Sequence, residues 1–187
     1  LWTSDITYFQ IANTFFYIVF IMDVYSRLIV GYAVADNMKA INNVVALEMA
    51  FKTRKKSNFK GQLIHHSDRG GQYISNQYVT MLQNAHIQIS MCNCVYENAH
   101  IERVNGTIKN QYLVHRNITT EQQLQKELKR AVDTYNNDRP HSALNNLTPS
   151  AFEHHIKELD ESKRPKLTIW TDSQSKFTDP NQCLIQF

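Results

Sequence analysis

Phe15 to Met22 is an unbroken run of eight apolar residues in an otherwise mixed chain. Such a run without alternation suits a strand covered on both faces, and it falls far short of the roughly 20 residues of a membrane helix. Before it, Trp2 to Gln10 mixes β-formers with polar residues, and Asn13 can turn the chain between the two. After it, Asp23 to Ser26 turns into a third strand over Arg27–Val34. Three strands in such quick succession predict an antiparallel meander. The period then changes. Ala40, Val44, Leu47 and Phe51 recur at helical spacing and form one stripe. A short strand follows at Leu63–His65, then a helix from Ser75 to near Asn84 and a strand at Ile87–Met91. The spacing of Ile101, Val104, Ile108 and Tyr112 predicts a helix within Asn98–Arg116. Thr120, with Gln123 as its capping-box partner, opens another whose stripe is Leu124, Leu128, Ala131, Val132 and Tyr135, and Pro140 closes it. The sum is an α/β fold, a five-stranded mixed sheet with helices on both faces.

Composition narrows the function classes. The 187 residues are 42% hydrophobic and 11% aromatic, enough for a packed core. A net charge of +3 is only mildly basic, so any nucleic-acid reading rests on where the charge sits. It gathers at Lys52, Arg54, Lys55, Lys56 and Lys60, at the end of the first helix, where cations also suit the helix dipole. Three cysteines, Cys92, Cys94 and Cys183, are too few for a disulfide framework, and their spacing matches no structural zinc pattern.

Among 17 carboxylates, those at element ends or inside strands stand out. Asp68 comes just past a strand, before Arg69-Gly70-Gly71, where small residues admit close approach of a ligand; an Asx turn explains the same pattern. Asp5 lies inside the first strand, where Asp is depleted. Glu102 sits about 100° round its helix from the buried stripe, and Asn105 and Lys109 share its face; the row suits a phosphate-bearing groove, but from periodicity alone a solvated helix surface explains it better. One acid on an early strand, one at a strand end and one on a later helix form a set able to converge on hard cations such as Mg²⁺. Among the rest, Asn98 reads as a helix cap or a DNA contact. Tyr135, Arg139, Pro140 and His141 form a helix stop, read first as structural docking. His65 and His66, adjacent in a strand, point to opposite faces and do not share an ion.

Four blocks, WTSDITYF (2–9), HSDRGGQY (66–73), YENAHIERVNGTIKNQYL (96–113) and YNNDRPHSALNNLTP (135–149), resemble the integrase-core, or DDE, transposases of bacterial insertion sequences, relatives of retroviral integrases. The resemblance runs from about Trp2 to Phe152. It implies a ribonuclease H-like fold, a catalytic core over 1–155, and a C-terminal tail over 156–187 without an assigned role. It places the three family carboxylates on Asp5, Asp68 and Glu102, as both catalytic residues and metal ligands. It also implies Mg²⁺, with Mn²⁺ substituting and two ions when DNA is bound, and DNA strand cleavage and joining of element ends to target. The expected partners are DNA and further copies of the chain, in the bacterial cytoplasm at the nucleoid. Arg69, Asn105, Lys109, Lys55 and Lys56 are the candidate DNA contacts. Two departures from the family pattern stand out: the step from Asp68 to Glu102 is about two residues short, and Glu97 replaces a usual Asp. The competing readings are a decayed element that only binds DNA or protein, and a simple ribonuclease H-like nuclease.

Overall fold

The computed structural model describes residues 1–55, 63–91 and 98–166, with backbone alone at 170–171 and 185–186. Strands β1 (Trp2–Ile11), β2 (Thr14–Asp23) and β3 (Ile29–Ala35) form the expected antiparallel meander. Strands β4 (Ile64–Ser67) and β5 (Gln88–Met91) join it in parallel, giving the sheet order β3-β2-β1-β4-β5. β1 is therefore the middle strand. The third strand starts two residues later than its sequence pattern predicts. Arg27 adopts a left-handed backbone (φ 60°), which keeps the turn open until Ile29. Among the described residues no helix is long and apolar enough to cross a membrane.

One face of the sheet carries α1 (Ala40–Lys55) and α2 (Asn76–Asn84), packed on Trp2, Val19, Ile21 and Val30. α1 approaches β3 so closely that a Cβ at Gly31 would stand 2.2 Å from the Ala46 carbonyl oxygen, so only glycine fits there. The opposite face carries α3 (Ala99–Thr107), a π segment (Ile108–Leu113) and α4 (Glu121–Asn137), packed on Ile18, Phe20 and Met22. β2 is thus buried from both sides, with Ile18 to Met22 at 1% exposure or less, as the unbroken apolar run requires. Every residue of the expected α4 stripe is buried. Half of the expected capping box forms: Thr120 Oγ1 accepts from Gln123 N–H, whereas Gln123 Oε1 reaches past Thr120 and accepts from Thr119 N–H.

Other expectations shift. Ser75 stands at the start of α2, but its hydroxyl donates back to the Gln72 carbonyl and does not cap the helix. α3 does not continue as an α-helix through Tyr112. Val114 N–H reaches back five residues to Lys109 O, and this wide turn buries Leu113 while leaving Tyr112 half-buried. The last helix, α5 (Pro149–Glu158), is capped by Thr148 and begins with proline. It completes a partly buried ion cluster in which Arg54 donates to Asp23 at 2.5 Å and to Glu153 at 2.7 Å. One cation of the expected basic cluster is therefore turned into the protein. Lys56 and Lys60 lie outside the described residues, as do Cys92, Cys94, Cys183 and Glu97, and the side chain of Lys55 does too.

Candidate active site

Asp5 occupies β1, opposite Phe20 of β2, and its side chain points to the α3 face. Alternation sends Ser4 to the other face, where its hydroxyl donates to the Phe20 carbonyl and accepts from Tyr73 OH. Parallel pairing of β1 with β4 matches Trp2 with His65 and Thr3 with His66. Carried two residues further, that register puts Asp5 level with Asp68, the first residue past β4. The two acids therefore come from neighbouring parallel strands at the carboxyl end of β4, a position where ligands gather in open α/β sheets.

Asp68 is exposed, and its Oδ1 accepts from Gly70 N–H at 2.9 Å. The Asx turn is real and does not withdraw the carboxylate from the site, because Asp68 still acts electrostatically on Asp5. Glu102 is exposed on α3, off the buried stripe of Ile101, Val104 and Ile108, and it too acts on Asp5. Burial first of all, then repulsion from Asp68 and Glu102, raises Asp5 from 3.8 to about 6, against the opposing hydrogen bonds from Ile6 N–H and Asn105. Three acids from three elements thus share one electrostatic neighbourhood.

Asn105 sits beneath this neighbourhood. It is buried, and its Nδ2 donates to Asp5 Oδ2 at 2.8 Å, so its first role here is to orient the carboxylate. Lys109 lies one turn on, its ammonium 4.5 Å from the Tyr8 ring centre and 3.4 Å from Thr7 Oγ1. Arg69 is exposed beside Asp68. Asn98, at the start of α3, does not cap the helix with its side chain. Its amide donates to the Ser4 carbonyl at 3.0 Å and its carbonyl oxygen accepts from the Thr3 hydroxyl, tying α3 to β1 one residue from Asp5. His65 and His66 face apart as expected: His65 meets Tyr78 at 2.9 Å, and His66 meets Ser90. Burial drives His65 down to about 3, so it stays neutral.

Three carboxylates are the hard oxygen donors that Mg²⁺ or Mn²⁺ takes, and their mutual repulsion favours a cation between them. Among the described residues no three His, Cys, Asp or Glu side chains form a ready-made metal cage. An open set of this kind fits a cation that keeps water or phosphate oxygens in its shell better than one enclosed by protein. Asp5, Asp68 and Glu102 are the residues that would hold it.

Comparison with known proteins agrees with this architecture. Residues 1–94 match an Integrase core domain family, and residues 86–149 match a second family of the same description. The chain is 32% identical over 163 residues to the Insertion element IS600 uncharacterized 31 kDa protein of Shigella sonnei, covering 85% of this chain and 58% of that protein. It is 32% identical over 155 residues to the transposase for insertion sequence element IS629 of Shigella sonnei, covering 82% and 51%. It is 30% identical over 155 residues to transposase InsF for insertion sequence IS3A of Escherichia coli strain K12, covering 81% and 53%. The chain thus spans between half and three fifths of these relatives' own length. Among solved structures, the fold is similar to the HTLV-2 integrase catalytic core domain in complex with magnesium (TM-score 0.63, 17% identity, 82% of this chain and 95% of that one). It is also similar to a chain of the simian T-cell lymphotropic virus intasome (TM-score 0.68, 16% identity, 91% and 60%).

Proposed function

The chain belongs to the Integrase core domain family of insertion-sequence transposases and retroviral integrases, and from that premise we propose that it is the catalytic core of a DNA transposase. It cleaves element ends and joins them to target DNA by phosphoryl transfer, with residues 1–155 as the core and 156–187 as an appended tail. The observation that carries this reading is the convergence on Asp5, in the middle strand, of Asp68 from the neighbouring strand end and Glu102 from α3.

In the mechanism, Asp5 presents its carboxylate in the orientation set by Asn105, and Asp68 stands level with it across the parallel register. Glu102 supplies the third carboxylate from the face of α3 off the buried stripe, so all three line one side of the scissile phosphodiester. Asn98 holds the start of α3 against β1 and thereby fixes the approach of Glu102 to Asp5. Arg69 and Lys109 take DNA phosphates beside the acids, and Lys55 and Lys56 are further candidate DNA contacts from the basic run. Asp5, Asp68 and Glu102 would hold two Mg²⁺ ions (or Mn²⁺), which would supply Lewis-acid activation of the attacking water or DNA 3′-hydroxyl and charge stabilisation at the leaving oxygen. Joining two ends calls for at least two copies of the chain on DNA in the bacterial cytoplasm.

The test is a strand-transfer assay on labelled element ends, run with the full-length protein in Mg²⁺ or Mn²⁺. Glu102→Gln is expected to lower cleavage by about a thousandfold, equivalent to about 4 kcal/mol of barrier, with folding and DNA binding retained. Near-normal cleavage by the folded variant removes Glu102 from the mechanism.

A further inference from the structure

On the flank of α3 opposite Glu102 lies a cavity of about 240 Å³ that the catalytic reading does not use. Arg27 reaches it from the β2–β3 turn, His100 and Arg103 from α3, Arg139 and His141 from the chain just past α4, and Tyr135 from α4 itself. Three guanidinium groups thus converge on one cavity, and none of the described residues lining it is acidic. Among the described residues Arg27, Arg103 and Arg139 form no ion pair. The one carboxylate that acts on Arg27 is Asp23, which lies outside the lining and is bound to Arg54 at 2.5 Å. A gathering of like charges in a partly desolvated cavity is unfavourable without a counter-charge.

The hydrogen bonds define what that counter-charge is. Arg27 donates to His100 Nδ1 at 2.7 Å, which requires a neutral ring with its proton on Nε2. Burial, then Arg139 and Arg27, lower His141, whose buried Nε2 has no partner among the described residues. Arg139 donates to Gln111 at 2.5 Å, which leaves further donors of its fork for a ligand. The β2–β3 turn places Arg27 at φ 60°, uncommon for a non-glycine residue, with its side chain among those lining the cavity. Planar guanidinium forks with added N–H and hydroxyl donors match a tetrahedral oxyanion, and phosphate above all.

We propose that this cavity is an oxyanion site for a phosphate group, supplied either by a DNA phosphodiester or by free phosphate. It lies on the far side of α3 from Asp5 and stands independently of the catalytic reading. Glu102 and Arg103 are adjacent in sequence but about 100° apart on the helix, so one helix presents acid to one side and cation to the other.

The experiment titrates the ¹⁵N-labelled chain with sodium phosphate, against sodium chloride at matched ionic strength. Saturable shifts at Arg27, residues 100–107 and residues 139–143 are expected in phosphate and not in chloride. Arg103→Gln and Arg139→Gln should each weaken phosphate binding by about tenfold, the loss of one charge-assisted contact. Arg103 is exposed, so its substitution leaves the core intact, and the wild-type titration is decisive even without the variants. Displacement of phosphate by a short DNA duplex identifies the phosphodiester as occupant, and saturation by phosphate without such displacement identifies free phosphate. Shifts that do not saturate, that centre elsewhere, or that are unchanged in both variants overturn the proposal.

Discussion

Replacing Asp5 by Asn is expected to make the cation-free protein more stable while removing a residue proposed for catalysis. The folded protein binds a proton at Asp5 more tightly than the unfolded chain does, since burial and the neighbouring acids raise it from 3.8 to about 6. The stability linked to that proton is fully present below about pH 4 and is lost as the pH climbs past 6. At about 1.4 kcal/mol per tenfold, the ionised side chain weakens the fold by up to about 3 kcal/mol above that range. Asp5 is only half-buried, and solvent screening lowers the figure to about 2 kcal/mol. Asn keeps the shape, can still accept from Asn105 Nδ2, and never ionises.

The assay is thermal unfolding of wild type and Asp5→Asn in EDTA, from pH 4 to pH 8. The difference between the two proteins should be small at the acid end and grow through pH 6. At 2–4 °C per kcal/mol for a chain of this size, it should reach about 4–8 °C in Tm at pH 8. Added Mn²⁺ should narrow the difference by stabilising the wild type alone. A difference that stays flat with pH, or a variant less stable than wild type at pH 8, refutes the claim that Asp5 is held in a repulsive, desolvated position.

Asp68→Asn should blunt the rise in Tm that Mn²⁺ or Mg²⁺ gives the wild type, read by the same thermal scan, because one ligand of the proposed site loses its charge. Arg54→Met leaves Asp23 and Glu153 facing each other without their shared cation and should destabilise the fold by about 3 kcal/mol in urea titration. There, burial alone would raise Glu153, but hydrogen bonds and charge from Arg54 hold it below the usual carboxylate range. Asn98→Ala should cost about 2 kcal/mol in the same titration, since it leaves Thr3 and the Ser4 carbonyl without their partner in a buried place.

The parts of the fold legible in the sequence are those where one side chain's burial depends on local period. β2 was readable because eight apolar residues in a row admit only a strand covered twice, and α4 because its stripe and its Thr120 cap agree. Asp5 was conspicuous as a charge in a strand, although only the parallel register with β4 brings it level with Asp68. Partners distant in sequence left no such trace. Arg54 reads as one more cation in a basic run, and nothing in that run signals that Glu153, 99 positions later, turns it inward. Asn98 offers the pattern of a cap, but its amide is used across 94 positions to hold β1. α5 did carry a local signal, Thr148 followed by Pro149, the N-cap and first-turn residues of a helix.

The wide turn after α3 shows why a single helical period could not describe the segment that carries Glu102. The first half of this segment must pack Ile101, Val104 and Ile108 on the sheet, since only that rotation brings Asn105 under Asp5 and Glu102 beside it. Continued at α-helical spacing, the same stripe would next bury Tyr112 and turn Leu113 away. The observed bond from Val114 N–H to Lys109 O takes up one extra residue, so Leu113 is fully buried and Tyr112 lies near Arg116 and Glu127 at the edge of α4. Two packing demands, one set by β1 and one by α4, are thereby met by one chain segment whose halves follow different registers. The adjustment falls at Lys109, where the segment leaves the candidate site, so the rotation that aims Glu102 and Asn105 at Asp5 is kept independent of how the rest of the segment docks on α4.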